Sequence, residues 1–275
     1  MTNKFFIDTA DIGYINKTWD KLRPHIDPKS FVGITTNPNA LAKVGCDTLD
    51  KFETLVPALC ELVHKLRGDE DGIVYVQVPN SVMSESDIVK WAIYVNQFNG
   101  HGAHIGLKLP HFSYILKLTN LPELRGLYLN ITGVSDANTI IKAMSYDEVT
   151  YASIIPGRME EVGIDADSHL TYLASNRYKP HQDIIAGSMR TVEGLRKSIY
   201  YKTVPTIGSR VWDIIDAENL WSEFTGYWND LYVPQNQVAD YTPVVSDTNL
   251  DLSKGFFQQM DSLGDSIHKE FLTRN

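Results

Sequence analysis

Eight short apolar stretches, spaced by runs of helical periodicity, limit what this chain can fold into more than any other feature. Residues 4–8, 31–36, 73–78, 104–110, 127–132, 149–155 and 183–188 read as strands, and 204–207 as a shorter, weaker eighth. The segments between them carry apolar residues three and four apart, the spacing of one helical face. Ile12, Ile15, Trp19 and Leu22 follow the first strand, Leu49, Phe52, Leu55, Val56, Leu59, Val63 and Leu66 the second, and Ile88, Trp91, Ala92, Val95 and Phe98 the third. Strands that alternate with helices form parallel sheets, because each helix carries the chain back to the end where the previous strand began. The expected class is therefore α/β, with a TIM (β/α)8 barrel leading and a doubly wound open sheet second. No Gly-x-Gly-x-x-Gly follows the first strand, which weakens a dinucleotide-binding version of the open sheet. A chain of 275 residues with 43% hydrophobic content suits one barrel of roughly 250 residues plus a tail. A single domain over 1–275 is expected, with 216–275 as a C-terminal extension.

Within that extension, 216–233 carries Leu220, Trp221, Phe224, Trp228, Leu231 and Tyr232 at helical spacing, a face expected to pack on its own barrel. Residues 235–249 hold two prolines and no periodicity, and read as a loop. From 252 onward, Phe256, Met260, Leu263, Ile267 and Phe271 recur every three or four positions. This terminal helix must lay its apolar stripe on this barrel or on a neighbouring subunit, so a homo-oligomer stays open.

In His104-Ile-Gly-Leu-Lys-Leu-Pro110, Ile105, Leu107 and Leu109 share one parity and His104, Gly106 and Lys108 the other. A strand points those two sets to opposite faces. If the apolar set packs on helices, Lys108 points into the space the strand helps enclose. A buried, unpaired ammonium is costly and tends to lose its proton, and a neutral desolvated lysine is the nucleophile that forms imines with carbonyl compounds. Alone, the stretch also fits a strand-end lysine reaching solvent or a carboxylate. The other strands weigh against that. Asp8 opposes Phe5 and Ile7 in parity, Thr35 and Asn37 oppose Val32 and Ile34, and Gln77 opposes Val74, Val76 and Val78. Asn130 and Thr132 oppose Leu127, Leu129 and Ile131, Ser153 opposes Ala152 and Ile154, and Ser188 opposes Ile185. In a barrel the apolar set meets the outer helices and the other set lines the interior. Polar groups from seven strands would then gather at the C-terminal mouth, where barrel enzymes carry their chemistry.

Ser188-Met-Arg190 turns from the seventh strand toward the next helix, and Arg158 lies in Pro156-Gly-Arg158 just beyond the sixth. Barrels often hold phosphate with the loops after their last strands, and guanidinium groups grip it bidentately. Either arginine alone reads as a surface charge. Two of them beside a candidate imine lysine point to a phosphorylated sugar or aldehyde.

The formal charge of -9, without a long Lys/Arg cluster, argues against nucleic acid and anionic membranes as partners. No run approaches the ~18 apolar residues of a membrane span, and Met1-Thr-Asn-Lys leads into a strand rather than a signal peptide. Cys46 and Cys60, each on a helix-like stretch and outside any Cys-x-x-Cys, read as reduced core thiols of a cytoplasmic protein. His101 and His104 are spaced His-x-x-His, but on strand and loop that spacing does not set two ligands on one helical face, and no third ligand follows; no metal is expected. Asp165-Ala-Asp167-Ser lacks the pattern of a calcium loop and reads as a helix start, and Arg67-Gly-Asp-Glu-Asp-Gly72 as a solvated turn.

Phe5-Phe-Ile-Asp-Thr-Ala10, Gly33-Ile-Thr-Thr-Asn-Pro38, Gly106-Leu-Lys-Leu-Pro110, Leu129-Asn-Ile-Thr132, Pro156-Gly-Arg158 and Gly187-Ser-Met-Arg190 occur in this order. Over about residues 4–215 the chain thereby resembles the transaldolases and the related fructose-6-phosphate aldolases. The resemblance implies a class I, metal-free mechanism without a cofactor, on sugar-phosphate substrates. Lys108 would form the Schiff base with the keto carbon, and Asp8 would take the C4 hydroxyl proton as the C3–C4 bond breaks. Thr132 and Gln77 would hold the water that shuttles protons. Asn37, Asn130 and Ser153 would bind the dihydroxyacetone unit, Arg158, Ser188 and Arg190 the distal phosphate, and Thr35 would brace the group.

Departures from the family pattern divide its two branches. Gln77 stands where transaldolases generally have glutamate and where the aldolase branch has glutamine. Asn130 and Ser153 match the transaldolases. Aligned on Gly157-Arg158, Ile155 replaces the phenylalanine of one branch and the tyrosine of the other. Lacking that phenol, the chain is expected to transfer the three-carbon unit rather than release it. A fructose-6-phosphate aldolase and a catalytically silent sugar-phosphate-binding barrel are the alternatives.

Overall fold

The computed structural model describes residues 4–111, 118–176, 178–229 and 246–274. Its parallel strands are β1 (Phe5–Asp8), β2 (Phe31–Thr35), β3 (Ile73–Gln77), β4 (His104–Pro110), β5 (Tyr128–Val134), β6 (Val149–Ile154), β7 (Asp183–Ala186) and β8 (Val204–Gly208). Each pairs with the next, and β1 also pairs with β8, so the sheet closes into a barrel. Around it run α1 (Ile12–Leu22), α2 (Pro38–Lys43), α3 (Leu49–Arg67), α4 (Glu85–Asn96), α5 (Ala137–Met144), α6 (Pro156–Glu161), α7 (Ala166–Ser175), α8 (Val192–Tyr200) and α9 (Ser209–Ala217). α10 (Trp221–Asn229) and α11 (Asp247–Arg274) follow. Short polar side chains start many of these helices by accepting a free first-turn N–H: Asp11 from Tyr14, Asp136 from Thr139, and Asp165 from Ser168. No described helix is long and apolar enough to cross a membrane.

Two apolar layers separate at the strands. Val74, Val76, Ile105, Leu107, Leu109, Leu129, Ile131 and Ile154 face outward and share one core with Phe52, Leu59, Trp91, Ile140, Leu170 and Trp212 of the helices. Inside the barrel, Phe6, Val32, Ile73, Tyr75, Tyr151, Ile185 and Val204 form a second cluster. Ring centroids of Phe6, Tyr75 and Tyr151 lie 5.6 to 5.9 Å apart in edge-to-face contact. They come from β1, β3 and β6, which are not neighbours, so the rings meet across the barrel axis. Gly106 is the socket for one of them, since a Cβ there would stand 2.3 Å from the Tyr75 ring.

Two inward residues overturn the expected parity. Val32, expected outside, belongs to the inner cluster. The β1–β2 register slips between Phe5 and Phe6, and Gly33 presses so close to β3 that a Cβ would stand 1.8 Å from the Ile73 carbonyl oxygen. The alternation shifts by one at this irregularity, which puts both Val32 and Thr35 inside. Ile185 is also inside, while Ile184 takes the outward place. β7 stops at Ala186, and Ser188, with φ 54, reaches the mouth from the following turn rather than from a strand.

The tail differs too. Asp216 and Ala217 end α9, Asn219 takes φ 54, and a separate α10 begins at Trp221. Trp212 stacks on Trp221 at 6.0 Å and meets Phe224 at 5.0 Å, which ties α10 to its own barrel as expected. The side chain of Trp228, Leu231, Tyr232 and the loop over 235–245 lie outside the described residues. Residues 247–249 open α11 rather than end a loop, so this helix starts five residues before the expected 252. Cys46 lies between α2 and α3 rather than on a helix. Burial pushes its thiol up to about 11 and that of Cys60 up to about 12, as inert core thiols require.

α11 lies on this barrel. The Ser81 N–H and hydroxyl both donate to the Asp261 carboxylate at 2.6 Å, Leu49 N–H donates to Glu270 at 2.8 Å, and Phe271 meets Trp91 at 5.0 Å. At Gly264 the helix crosses the loop after β3 so closely that a Cβ would stand 1.9 Å from the Pro79 carbonyl oxygen.

Candidate active site

Directly above the aromatic layer, one step toward the C-terminal ends, lies a layer of polar side chains. Gln77 follows Tyr75, Lys108 follows Gly106, Asn130 follows Tyr128 and Ser153 follows Tyr151, each two residues on and therefore on the same inward face. The register pairs Gln77 with Lys108 and Lys108 with Asn130, so these three stand side by side. Lys108 is 6% exposed and its Nζ donates to the Thr36 carbonyl at 3.0 Å. Burial lowers its pKa, and the nearby Asp8 carboxylate opposes that without reversing it. The amine thus faces a closed interior and is driven toward the uncharged, nucleophilic form.

Asp8 is half-buried and accepts a hydrogen bond from the Thr35 hydroxyl at 2.9 Å. Thr35 shares a second, 2.5 Å contact with the Thr206 hydroxyl of β8. The Ser153 hydroxyl donates to Asn130 Oδ1 at 2.8 Å, while Asn130 Nδ2 and Gln77 Oε1 are buried with no partner among the described residues. Unpaired buried amides cost about 1–3 kcal/mol each, so both are suited to a ligand or water. Asn37 spends its Oδ1 on capping α2 at Ala40 N–H, 2.9 Å, which leaves its Nδ2 to donate.

The outer part of the site is a polar cleft of about 140 Å³. Asp8, Asn37, Arg158, Ser188 and Arg190 line it, joined by Lys43, Thr206, Arg210, Phe256 and Met260. Lys108, Gln77, Asn130, Thr132, Ser153 and Thr35 are not in its wall, and Asp8 belongs both to the cleft and to the surroundings of the amine. Gly157 lets the segments after β6 and β7 meet, because a Cβ would stand 2.3 Å from the Ser188 carbonyl oxygen. The Arg158 guanidinium lies 4.9 Å over the Phe256 ring and donates to Gln259 at 3.3 Å. Burial first, and then the charge of Arg190, lower its pKa. Arg190 is partly compensated by Glu161 at 2.8 Å. A second guanidinium close enough to disfavour the charge of Arg158 suits an anion between the two.

Four of these residues were not evident in the sequence. Thr206 belongs to the weakest strand, Lys43 and Arg210 are single charges without a motif, and Phe256 enters the cleft only because α11 folds over the mouth. Thr206 carries the same inward parity as Gly208, a signal that the short β8 obscured. Among the described residues no cluster of three His, Cys, Asp or Glu forms a metal site.

No protein-family model matches the chain. Over 209 residues, which is 74% of this chain and 86% of theirs, it is 29% identical to proteins curated as "Probable transaldolase" from Streptococcus pyogenes serotype M5 (strain Manfredo) and serotype M49 (strain NZ131). Among solved structures, the tryptophan synthase A-subunit of the hyperthermophile Pyrococcus furiosus is similar at a TM-score of 0.46 and 12% identity, over 82% of this chain and 95% of that one. A structure described as "QR15, an Aldolase" is similar at a TM-score of 0.42 and 11% identity, over 79% and 95%. The streptococcal likeness supports an aldolase- or transaldolase-like family and singles out no member of it.

Proposed function

We propose that this protein is a transaldolase, moving a dihydroxyacetone unit from a ketose phosphate such as fructose 6-phosphate or sedoheptulose 7-phosphate to an aldose phosphate. Its place would be the cytoplasmic pentose phosphate interconversions. The observation that carries this reading is Lys108: an amine on the inward face of β4, almost fully buried, whose pKa burial lowers against the opposing charge of the nearby Asp8.

Lys108 Nζ adds to the keto carbon, and the carbinolamine loses water to leave the protonated imine. Asp8 takes the proton of the C4 hydroxyl, the C3–C4 bond breaks, and its electron pair flows into the iminium to give an enamine. The aldose phosphate leaves. The enamine adds to the acceptor aldehyde, and hydrolysis of the new imine frees Lys108. Thr132 and Gln77 hold the water, and the unpartnered Gln77 Oε1 supports that role. Asn37, Asn130 and Ser153 bind the three-carbon unit, Thr35 braces Asp8 through its 2.9 Å bond, and Arg158, Ser188 and Arg190 hold the phosphate.

Gln77 favours one second reading, a fructose-6-phosphate aldolase that releases free dihydroxyacetone. One assay separates them: turnover of fructose 6-phosphate with and without erythrose 4-phosphate, alongside borohydride trapping. Acceptor-dependent transfer and a trapped adduct lost in Lys108→Met are expected. Robust cleavage without acceptor would favour the aldolase, and no trapped adduct at all would leave a silent sugar-phosphate-binding barrel.

A further inference from the structure

The ring face and the hydrogen-bond acceptor that hold Arg158 both come from α11. The guanidinium carbon lies 4.9 Å over the Phe256 ring, and Nη1 and Nη2 donate to one oxygen, Gln259 Oε1, at 3.4 and 3.3 Å. Phe256 and Gln259 are three residues apart and so share one face of the helix. Phe256 is buried and lines the cleft together with Met260. Farther along, the same helix is pinned to the loop after β3 by Asp261 and by the close pass at Gly264. The face that meets Arg158 is therefore set by contacts that lie outside the cleft.

A guanidinium carries five N–H donors in a rigid fork. Gln259 takes the end of that fork, where Nη1 and Nη2 lie side by side, whereas Nε is buried with no partner among the described residues. The edge through Nε is then the part of the group not spent on the protein. Both partners are also neutral. A ring face and an amide oxygen orient a cation without cancelling its charge. Arg190, in contrast, pairs with the Glu161 carboxylate at 2.8 Å.

We propose that Phe256 and Gln259 are positioning residues for the phosphate of the substrate: they orient the Arg158 guanidinium and leave its charge uncancelled, which makes α11 a working part of the phosphate site. The proposal rests on the reading of Arg158 as a phosphate contact, and both residues act through it.

The test titrates the full chain with inorganic phosphate by calorimetry and, in parallel, measures KM and kcat with fructose 6-phosphate and erythrose 4-phosphate. Phe256→Leu keeps apolar bulk and removes the ring, and Gln259→Leu removes the acceptor. Each should weaken phosphate binding and raise KM by about threefold to tenfold, the worth of one cation–π contact or one hydrogen bond to a charged group. The kcat should stay within about twofold, because the phosphate is held alike before and during the reaction. Phe256→Tyr, which restores the ring, should recover most of the affinity. Gln259→Glu should weaken phosphate at least as much as Gln259→Leu, because it holds the guanidinium but cancels its charge. In an Arg158→Ala background the two leucine substitutions should add little, since they act in series with that residue. Losses that persist in that background overturn the proposal, as do a Phe256→Tyr variant as weak as Phe256→Leu and a Gln259→Glu variant as tight as the unmodified chain. An Arg158→Ala loss that neither leucine variant shares overturns it too. If Phe256→Leu does not fold, Phe256→Met takes its place with the same expected loss. An unmodified chain that binds phosphate no better than its Arg158→Ala variant removes the phosphate reading of Arg158 and this proposal with it, an outcome distinct from the others.

Discussion

Replacing Lys108 by Met should make the folding stability respond differently to pH, apart from any effect on turnover. A lysine whose pKa is lowered by folding binds its proton more readily in the unfolded chain. Stability therefore rises with pH, because the unfolded state must release the proton that the native state has already lost. The sign is fixed: the cost is fully present below the lowered pKa and disappears above the ordinary 10.5. Between those limits the slope is at most about 1.4 kcal/mol per pH unit. Met keeps most of the apolar stem buried and removes the titration. It also leaves the Thr36 carbonyl without its 3.0 Å donor, a loss of about 1–3 kcal/mol that does not vary with pH. The absolute difference between the two proteins mixes these effects, whereas the slope isolates the first. Denaturant melts of both proteins at intervals from pH 6 to pH 10 should show the Met variant gaining on the unmodified chain as pH falls. A difference independent of pH would mean that Lys108 titrates in the folded chain as it does in water. The proposed nucleophile would then have no source of activation.

Two further perturbations bear on the cleft and its cover. Gly264→Ala puts a methyl 1.9 Å from a main-chain oxygen that cannot rotate aside, an overpacking cost of about 1–3 kcal/mol against about 1 kcal/mol gained in helix propensity. The helix must lift, so a rise in KM for fructose 6-phosphate is expected with a modest fall in melting temperature; unchanged values of both would mean that α11 does not close the mouth. Arg158→Ala should raise KM for phosphorylated sugars by about 10- to 100-fold, the worth of a charge-assisted pair, and leave unphosphorylated fructose nearly untouched. Equal losses on both sugars would remove Arg158 from the phosphate site.

The barrel was legible because its two periodicities are strong. Five of eight strands show their inward set plainly, and Lys108, Gln77, Asn130 and Ser153 fall in one layer because side chains two apart share a face. Val32 was misassigned because a register slip beside Gly33 leaves no mark in hydrophobic pattern. Ile185 was misassigned because Asp-Ile-Ile-Ala sets two isoleucines side by side and offers no alternation to choose between them. Thr206 was missed for a similar reason, in a strand with only one clear apolar pair. Arg158 and Arg190 could be suspected from their places after β6 and β7. Lys43 and Arg210 could not, because a single charge on a helix gains meaning only from what faces it. The terminal helix was recognisable by its period, but its destination depended on tertiary packing: Asp261 and Gly264 lie far along the chain from Ser81 and Pro79, in the loop they meet.

The interlocked rings of Phe6, Tyr75 and Tyr151 have a consequence for traffic through the molecule. They stopper the barrel from below, with Gly106 shaped to receive one of them, so no water column runs along its axis. Among the described residues, the way to Lys108 along the barrel axis is then from its C-terminal mouth, the end at which the polar cleft opens. On the proposed function, a bound sugar phosphate would therefore seal its own reaction chamber, and solvent hydrogen exchange at the carbon next to the imine should be slowest when the mouth is occupied.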